Sequence, residues 1–342
     1  MLFSIIVPVY NRPDEVADLL KSLEAQSDKG FEIVIVEDGS TVPCLDASEN
    51  PDGSLSVKGH DSLQLKYYRK ANEGRSIARN YGLGRASGDY FIFVDSDCIL
   101  PPGYIANLRK SLADDYHDCF GGPDAAHESF TDTQKAINFS MTAFLTTGGI
   151  RGGKVSMEKF TPRTFNMGFS RAVYDRVGGF REMFSEDIDM STRIRQAGFS
   201  ITLFPDVFVY HKRRVDMKKF WKQVHVFGMS RITLELLYPS SMKLVHWLPA
   251  AFTVGAVALI VGSFFWRWML IPLLVYVVAL FICALVAERN LKIALLGVVA
   301  AFVQLTGYGT GFIKAYVQKI ILGRGRNQAE EIEIRKGENE GL

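Results

Sequence analysis

Between residues 1 and 115 the apolar positions come in short unbroken runs, separated by stretches with helical spacing. Residues 3–9, 31–36, 63–69 and 90–94 read as strands. The run over 90–94 has no polar alternation, so both of its faces must be covered, as in the interior of a parallel sheet. Asn11-Arg12-Pro13-Asp14 opens the first helix, with Pro13 near its first position and Val16, Leu19, Leu20 and Leu23 as its apolar stripe. A second helix over 76–86 carries Arg79 and Asn80. Residues 41–62 hold most of the local Pro, Gly, Ser and Asp, which predicts a surface loop with at most a turn or two of helix. Beyond 100 the pattern predicts a helix from Pro101-Pro102 to Leu112, a short strand over 118–122 and a strand over 165–170. A helix from Ser185 to Ala197, closed by Gly198, and strands over 201–204 and 207–210 follow. Alternating strands and helices predict an α/β fold with a parallel sheet.

The second half changes character. Residues 215–237 show helical spacing with Met217, Phe220, Val224 and Phe227 on one face and Lys218, Lys219, Lys222 and His225 mostly elsewhere. Such a helix fits a headgroup interface, or it packs on a folded domain. Residues 244–266, 268–287 and 293–313 then lack Asp, Glu, Lys and Arg, and each reaches the roughly 20 residues a bilayer span needs. The lysines before the first span place the preceding domain in the cytoplasm by the positive-inside rule. Three full spans put Arg324 and Arg326 outside, whereas a last segment loosened at Gln304 and Thr306-Gly307-Tyr308-Gly309 keeps them inside. Residues 146–154, with four glycines, an arginine and a lysine, read as a mobile loop: a linker, or a loop that orders over a phosphate-bearing ligand.

Composition narrows the function classes. A net charge of +2 over 342 residues gives no global reason to expect nucleic acid. Cys44, Cys98, Cys119 and Cys283 form no CxxC or Cys/His cluster and read as reduced, buried thiols of a cytoplasmic compartment. Met1 runs straight into a strand pattern without a charged n-region, so no secretory signal is expected.

The candidate chemistry lies where strands end. The run 90–94 leads into Asp95-Ser96-Asp97, and 31–36 leads into Glu37-Asp38-Gly39-Ser40. Carboxylates at the carboxyl ends of strands suit a divalent cation carrying phosphates, because open α/β sheets bind ligands there. Asp and Ser equally favour plain turns. Ser185-Glu186-Asp187-Ile188-Asp189 puts three acids in four positions at a helix start, more than capping needs, although first-turn acids also offset the helix dipole. The turn Tyr10-Asn11-Arg12-Pro13 lacks the glycines of a dinucleotide-binding fingerprint, which disfavours an oxidoreductase.

In chain order, Val7-Pro8-Val9-Tyr10-Asn11-Arg12, Val36-Glu37-Asp38-Gly39-Ser40, Asn72-Glu73-Gly74, Ala78-Arg79-Asn80 and Phe93-Val94-Asp95-Ser96-Asp97 form one series. Asn166, Gly178-Gly179-Phe180 and Glu186-Asp187-Ile188-Asp189-Met190 with Arg193 and Ala197-Gly198-Phe199 continue it. Over about 1–211 the series resembles the family 2 glycosyltransferases, whose fold is the Rossmann-like GT-A fold. Glu37 stands where that family often has a second Asp. The Gln-x-x-Arg-Trp run of processive members is absent, and Gln223-Val224-His225-Val226-Phe227 does not supply it. The resemblance therefore implies transfer of one sugar at a time.

It further implies that Pro8, Val9, Tyr10 and Asn11 line a base pocket, and that Asp38 accepts a hydrogen bond from the base. Arg79 would contact the base or the diphosphate. Asp95, beside Ser96, would hold the ribose or a metal-bound water, Asp97 would coordinate Mg2+ or Mn2+, and His211 would add a ligand as in some relatives. Asp187, next to Glu186, would be the catalytic base, with Asn166, Gly179 and Phe180 near the acceptor or donor sugar. Expected partners are a UDP- or GDP-sugar, a lipid-linked or glycan acceptor such as polysaccharide biosynthesis uses, and membrane lipid. The expected organisation is a GT-A domain over 1–212, an amphipathic interface helix over 213–240, two to three transmembrane helices over 241–322 and a polar tail over 323–342, in the inner cell membrane. Two alternatives stay open: a polyprenyl-phosphate glycosyltransferase of the dolichol-phosphate-mannose-synthase type, and a membrane-anchored nucleotide-binding protein without catalysis.

Overall fold

The computed structural model describes residues 1–49, 55–57, 59–125, 130–148, 160–211 and 216–324. The expectations for 149–154, the basic run 212–214 and the tail beyond 324 lie outside the described residues. Residues 1–125 and 160–211 form one compact unit, and 130–148 with 216–324 form the other.

The first unit is built from strands β1 Phe3–Val9, β2 Phe31–Asp38, β3 Ala47–Glu49, β4 Leu55–Val57, β5 Gln64–Lys70, β6 Tyr90–Val94, β7 Cys98–Ile99, β8 Cys119–Gly121, β9 Asp124–Ala125, β10 Asn166–Ser170, β11 Ile201–Leu203 and β12 Val209–His211. Among the described residues, nine of these form one sheet in the order β11-β8-β10-β6-β1-β2-β5-β4-β3, while β7, β12 and β9 form a small second sheet. Strands β6, β1, β2 and β5 are parallel neighbours, and Phe3 stands opposite both Phe31 and Tyr90. This shared register brings the carboxyl ends of β1, β2 and β6 to one edge, where Tyr10, Asp38 and Asp95 lie.

Alternate residues of the central strands feed two cores, as the pleat requires. Ile5, Val7, Ile33, Ile35, Ile92 and Val94 pack with helix α1 Pro13–Glu24. Ile6, Val34, Val36, Phe91 and Phe93 face α2 Arg75–Leu83 on the other side. The remaining helices of the unit are α3 Tyr104–Asp114, which joins the first core, and α6 Arg171–Val177 and α7 Glu186–Gln196, which join the second. The stripe Val16, Leu19, Leu20 and Leu23 is buried as its spacing predicts. Residues 41–62 depart from expectation: β3 and β4 pair as a short antiparallel ladder that extends the sheet beyond β5. Edge pairing of three-residue strands leaves no periodic signal in a loop-rich composition.

The second unit comprises α4 Asp132–Thr142, α5 Phe144–Thr147, α8 Met217–Leu237, α9 Leu244–Gly262, α10 Ile271–Glu288 and α11 Leu291–Ala315, which continues in wider π-type winding over Tyr316–Ile321. Three helical stretches, Leu244–Gly262, Arg267–Glu288 and Leu291–Ile321, are long and apolar enough to cross a membrane. The stripe of α8 is corrected in one respect. Phe220 and Val224 pack against Ile137, Met141 and Ala300, so α4 and α11 cover that face, and the exposed side is Lys218, Lys219, Trp221 and Lys222. Of the two alternatives for the last segment, the helix runs unbroken through 304–309. Its glycines serve close approach instead: a Cβ at Gly307 would meet Val224 and Trp221, and one at Gly309 the Pro249 carbonyl. The cysteines are all free, but only Cys98 and Cys119 are buried; Cys283 is exposed on α10.

Candidate active site

The mouth of the first unit is shaped by two loops. Asn11 takes a left-handed backbone (φ 51°), and its side-chain carbonyl accepts from the Thr41 N–H at 2.9 Å and the Val42 N–H at 3.3 Å. The loops after β1 and β2 are thereby latched together, with Tyr10 exposed and Pro8 and Val9 at the end of β1. Asp38 is buried. It accepts from the Glu73 N–H at 3.0 Å, the Gly74 N–H at 2.8 Å and Lys70 Nζ at 2.9 Å, so it holds the 70–74 turn that leads into α2. Glu37 is buried too, engaged by Tyr67 and by the Cys44 N–H at 3.0 Å, and burial followed by Glu37 pushes the Cys44 thiol up to about 12.

Arg79 is only 1% exposed and lies between two carboxylates. Nη2 donates to Asp95 at 2.8 Å and Nη1 to Glu186 at 2.9 Å. Burial works against its charge, but Asp95 and Glu186 more than offset this and hold its pKa above the ordinary value. Glu186 is buried, and its other oxygen accepts from Arg75 at 2.9 Å, so both of its oxygens are held at the start of α7. Asp187, one residue on, is half-buried and receives Arg163 Nη1 at 3.3 Å. Ser185 enters α7 with φ 70° and makes no side-chain cap, contrary to the N-cap reading.

Beyond β6, the turn Asp95–Cys98 is closed by the Cys98 N–H on the Asp95 carbonyl at 3.1 Å, with Ser96 buried within it. Strand β12 runs antiparallel to β7 with His211 opposite Cys98, which sets His211 Nε2 3.2 Å from Asp97. The His211 ring also stacks on Phe165, with centroids 4.8 Å apart. One ligand atom from each of Asp97, Cys98 and His211 falls within 4.8 Å of the others. The thiol does not fit a hard cation: burial pushes Cys98 well above its ordinary value, and Sγ points at the Phe165 carbonyl at 3.6 Å. A carboxylate and a neutral imidazole do fit a first-row divalent ion.

The three residues expected near sugar are engaged by other protein groups. Asn166 is fully buried, accepting from the Tyr104 hydroxyl at 2.6 Å and donating to the Val207 carbonyl at 2.8 Å. Asn80 clamps the backbone of Phe180 from both sides, at 2.7 and 2.8 Å, while a Cβ on Gly179 would strike Asn80. The Phe180 ring packs edge-on to Phe93 at 4.8 Å. Asn166 and Phe180 are buried, and Gly179 is half-buried.

With this geometry in view, comparison with known proteins is informative. The model of the family described as "Glycosyl transferase family 2" matches residues 4–178, just over half of the chain.

The chain belongs to glycosyl transferase family 2.

An uncharacterized glycosyltransferase of Rickettsia conorii is 43% identical over 94 residues, which is 28% of this chain but only 14% of that relative's length. The glycosyltransferase AglE of Haloferax volcanii is 24% identical over 267 residues, covering 74% of this chain and 80% of AglE. Among solved structures, the mannosyltransferase PcManGT from Pyrobaculum calidifontis, in complex with GDP-Man and Mn2+, superposes with a TM-score of 0.54 at 16% identity, over 93% of this chain and 87% of that one. The GT-A-like α/β fold is thereby shared.

Within this family 2 domain, sequence reasoning missed Arg163, Arg75 as a partner of Glu186, and Phe165 under His211. None carries a local signal, because each acts on a residue between 24 and 111 positions away.

Proposed function

We propose that the chain transfers a single sugar, with inversion, from a UDP- or GDP-linked donor to a hydroxyl of a membrane-associated, lipid-linked or glycan acceptor. One observation carries this reading: at the edge where β1, β2 and β6 end, Asp95, Asp97 and His211 lie on one side and Asp187 on the other, with Arg79 joining the halves. The donor base fits between the loops latched by Asn11, and Asp97 with His211 would hold a divalent cation, Mn2+ matching the mixed oxygen and nitrogen donors better than Mg2+. When bound, such an ion offsets the negative charge that grows on the departing diphosphate. Asp187 takes the proton of the acceptor hydroxyl, which is a poor nucleophile until it does. A single displacement from the face opposite the leaving group inverts the anomeric centre. The presence of GDP-Man and Mn2+ in PcManGT, and the three apolar helices here, support the donor, ion and membrane parts of the reading.

Arg163 beside Asp187 favours a second reading, in which a lipid phosphate is the acceptor and the guanidinium receives it. A nucleotide-sugar panel on detergent-solubilised protein tests both, scored by release of nucleoside diphosphate with glycosyl-lipid and with polyprenyl-phosphate acceptors. Manganese-dependent release with a hydroxyl acceptor is expected. Release only with the phosphate acceptor supports the second reading, and no release with any donor contradicts both.

A further inference from the structure

Between β9 and β10 the chain leaves the sheet unit, and its described residues 130–148 pack with the apolar helices instead. Helix α4 begins under a reciprocal cap of Thr131 and Gln134, and Asp132 pairs with Lys292 at 2.8 Å beside the start of α11. Further along, Ile137 and Met141 pack with Ala300, and Phe139 with Ala284 and Ala294. Helix α5 then meets α10, where the Tyr276 hydroxyl donates to the Leu145 carbonyl at 2.9 Å. Of the three candidate spans α10 lies in the most apolar and least buried, with a mean hydropathy of 2.9.

One observation separates this excursion from an ordinary surface turn. Phe144 is 58% exposed and Leu145 39%, and Val275 and Val278 of α10 are exposed as well.

We propose that α5 is a lipid-contacting element, with Phe144 and Leu145 among the acyl chains that surround α10. The sugar-transfer domain thus has a hold on the bilayer inside its own sequence, between two of its strands, in addition to the helices that follow it. Lipid is the occupant because the exposed pair sits at a residue bonded to Tyr276 of α10, and α10 lies in the most apolar and least buried candidate span. The proposal rests on the reading that α10 lies in a membrane, and it fits an acceptor carried in that membrane.

The test uses the full chain in phospholipid nanodiscs, with Cys44 and Cys283 replaced by Ser and a nitroxide attached to single cysteines in Phe144→Cys, Val278→Cys and Tyr116→Cys. Tyr116 is an exposed residue of the sheet unit. Spin relaxation by oxygen, which partitions into lipid, is compared with relaxation by a water-soluble nickel chelate. Positions 144 and 278 are expected to show an oxygen-to-nickel ratio several-fold above that of position 116. A ratio at 144 equal to that at 116, with 278 still high, overturns the proposal and leaves the membrane reading standing. A label at 144 that neither reagent relaxes overturns it too, since protein then covers the patch. Low ratios at both 144 and 278 overturn the membrane reading together with it.

Discussion

Arg79 is buried with a carboxylate on each side, and a buried charge is tolerable only while its partners remain. Glu186→Gln leaves the guanidinium with one carboxylate and loosens the start of α7, where Asp187 sits. Turnover is expected to fall about ten-fold or more, the factor that 1.4 kcal/mol gives, while nucleoside diphosphate affinity measured by calorimetry stays within a few-fold. Unchanged turnover contradicts the positioning role. Asp97→Ala should abolish the manganese dependence of nucleotide affinity, and calorimetry showing the same dependence contradicts the ion-holding role. A third residue makes a pH prediction. Burial works against the charge of Glu32, yet Lys66, Ser87 and Ser4 hold its carboxyl below the ordinary value. Because the folded pKa is depressed, its stabilisation is present above the unfolded value and is lost as pH falls through the folded one. Thermal unfolding should therefore show wild type losing more on going from pH 7 to pH 4 than Glu32→Gln does. At this scale the strand-end acids were legible, because a carboxylate after an apolar run stands out. The roles of Arg79 and Glu186 were not, because burial and partners 16 and 107 positions away leave no trace in the local pattern.

At the scale of elements, period was the reliable signal. The strands over 3–9 and 90–94 matched because runs covered on both faces have no polar alternation to blur them. Glycine misled in α11, where Gly307 and Gly309 suggested a break and instead admit α8 and α9 at short range. Gly228 on α8 does the same for α11: a Cβ there would meet the Tyr308 carbonyl. Gly228→Val is expected to destabilise by about 1–3 kcal/mol, the usual cost of overpacking, read as a lower melting temperature in detergent. Gly255→Val, where a Cβ meets nothing within 4 Å, is the control. Equal melting temperatures for the two variants contradict the close α8–α11 contact.

At the scale of the whole molecule, the three helices apolar enough to cross a membrane are legible, because apolar length announces a candidate span directly. The excursion over 130–148 was hidden. Asp132, Gln134, Lys135 and Asn138 keep its composition polar, and its attachment to the apolar helices depends on alternate small and aromatic contacts at Phe139, Ala284 and Ala294. The proposed two-sided site likewise needs β6 brought to α7 and β12, which lie about ninety residues or more further along the chain.

The central claim is that Asp187 activates the acceptor while the strand-end carboxylates hold the donor. Asp187→Asn, assayed for turnover with a hydroxyl acceptor and for nucleotide affinity in the same preparation, tests it most directly. The account predicts turnover lower by at least about a hundred-fold, the scale of general base catalysis, with affinity within a few-fold of wild type. Near-wild-type turnover in that variant would contradict it.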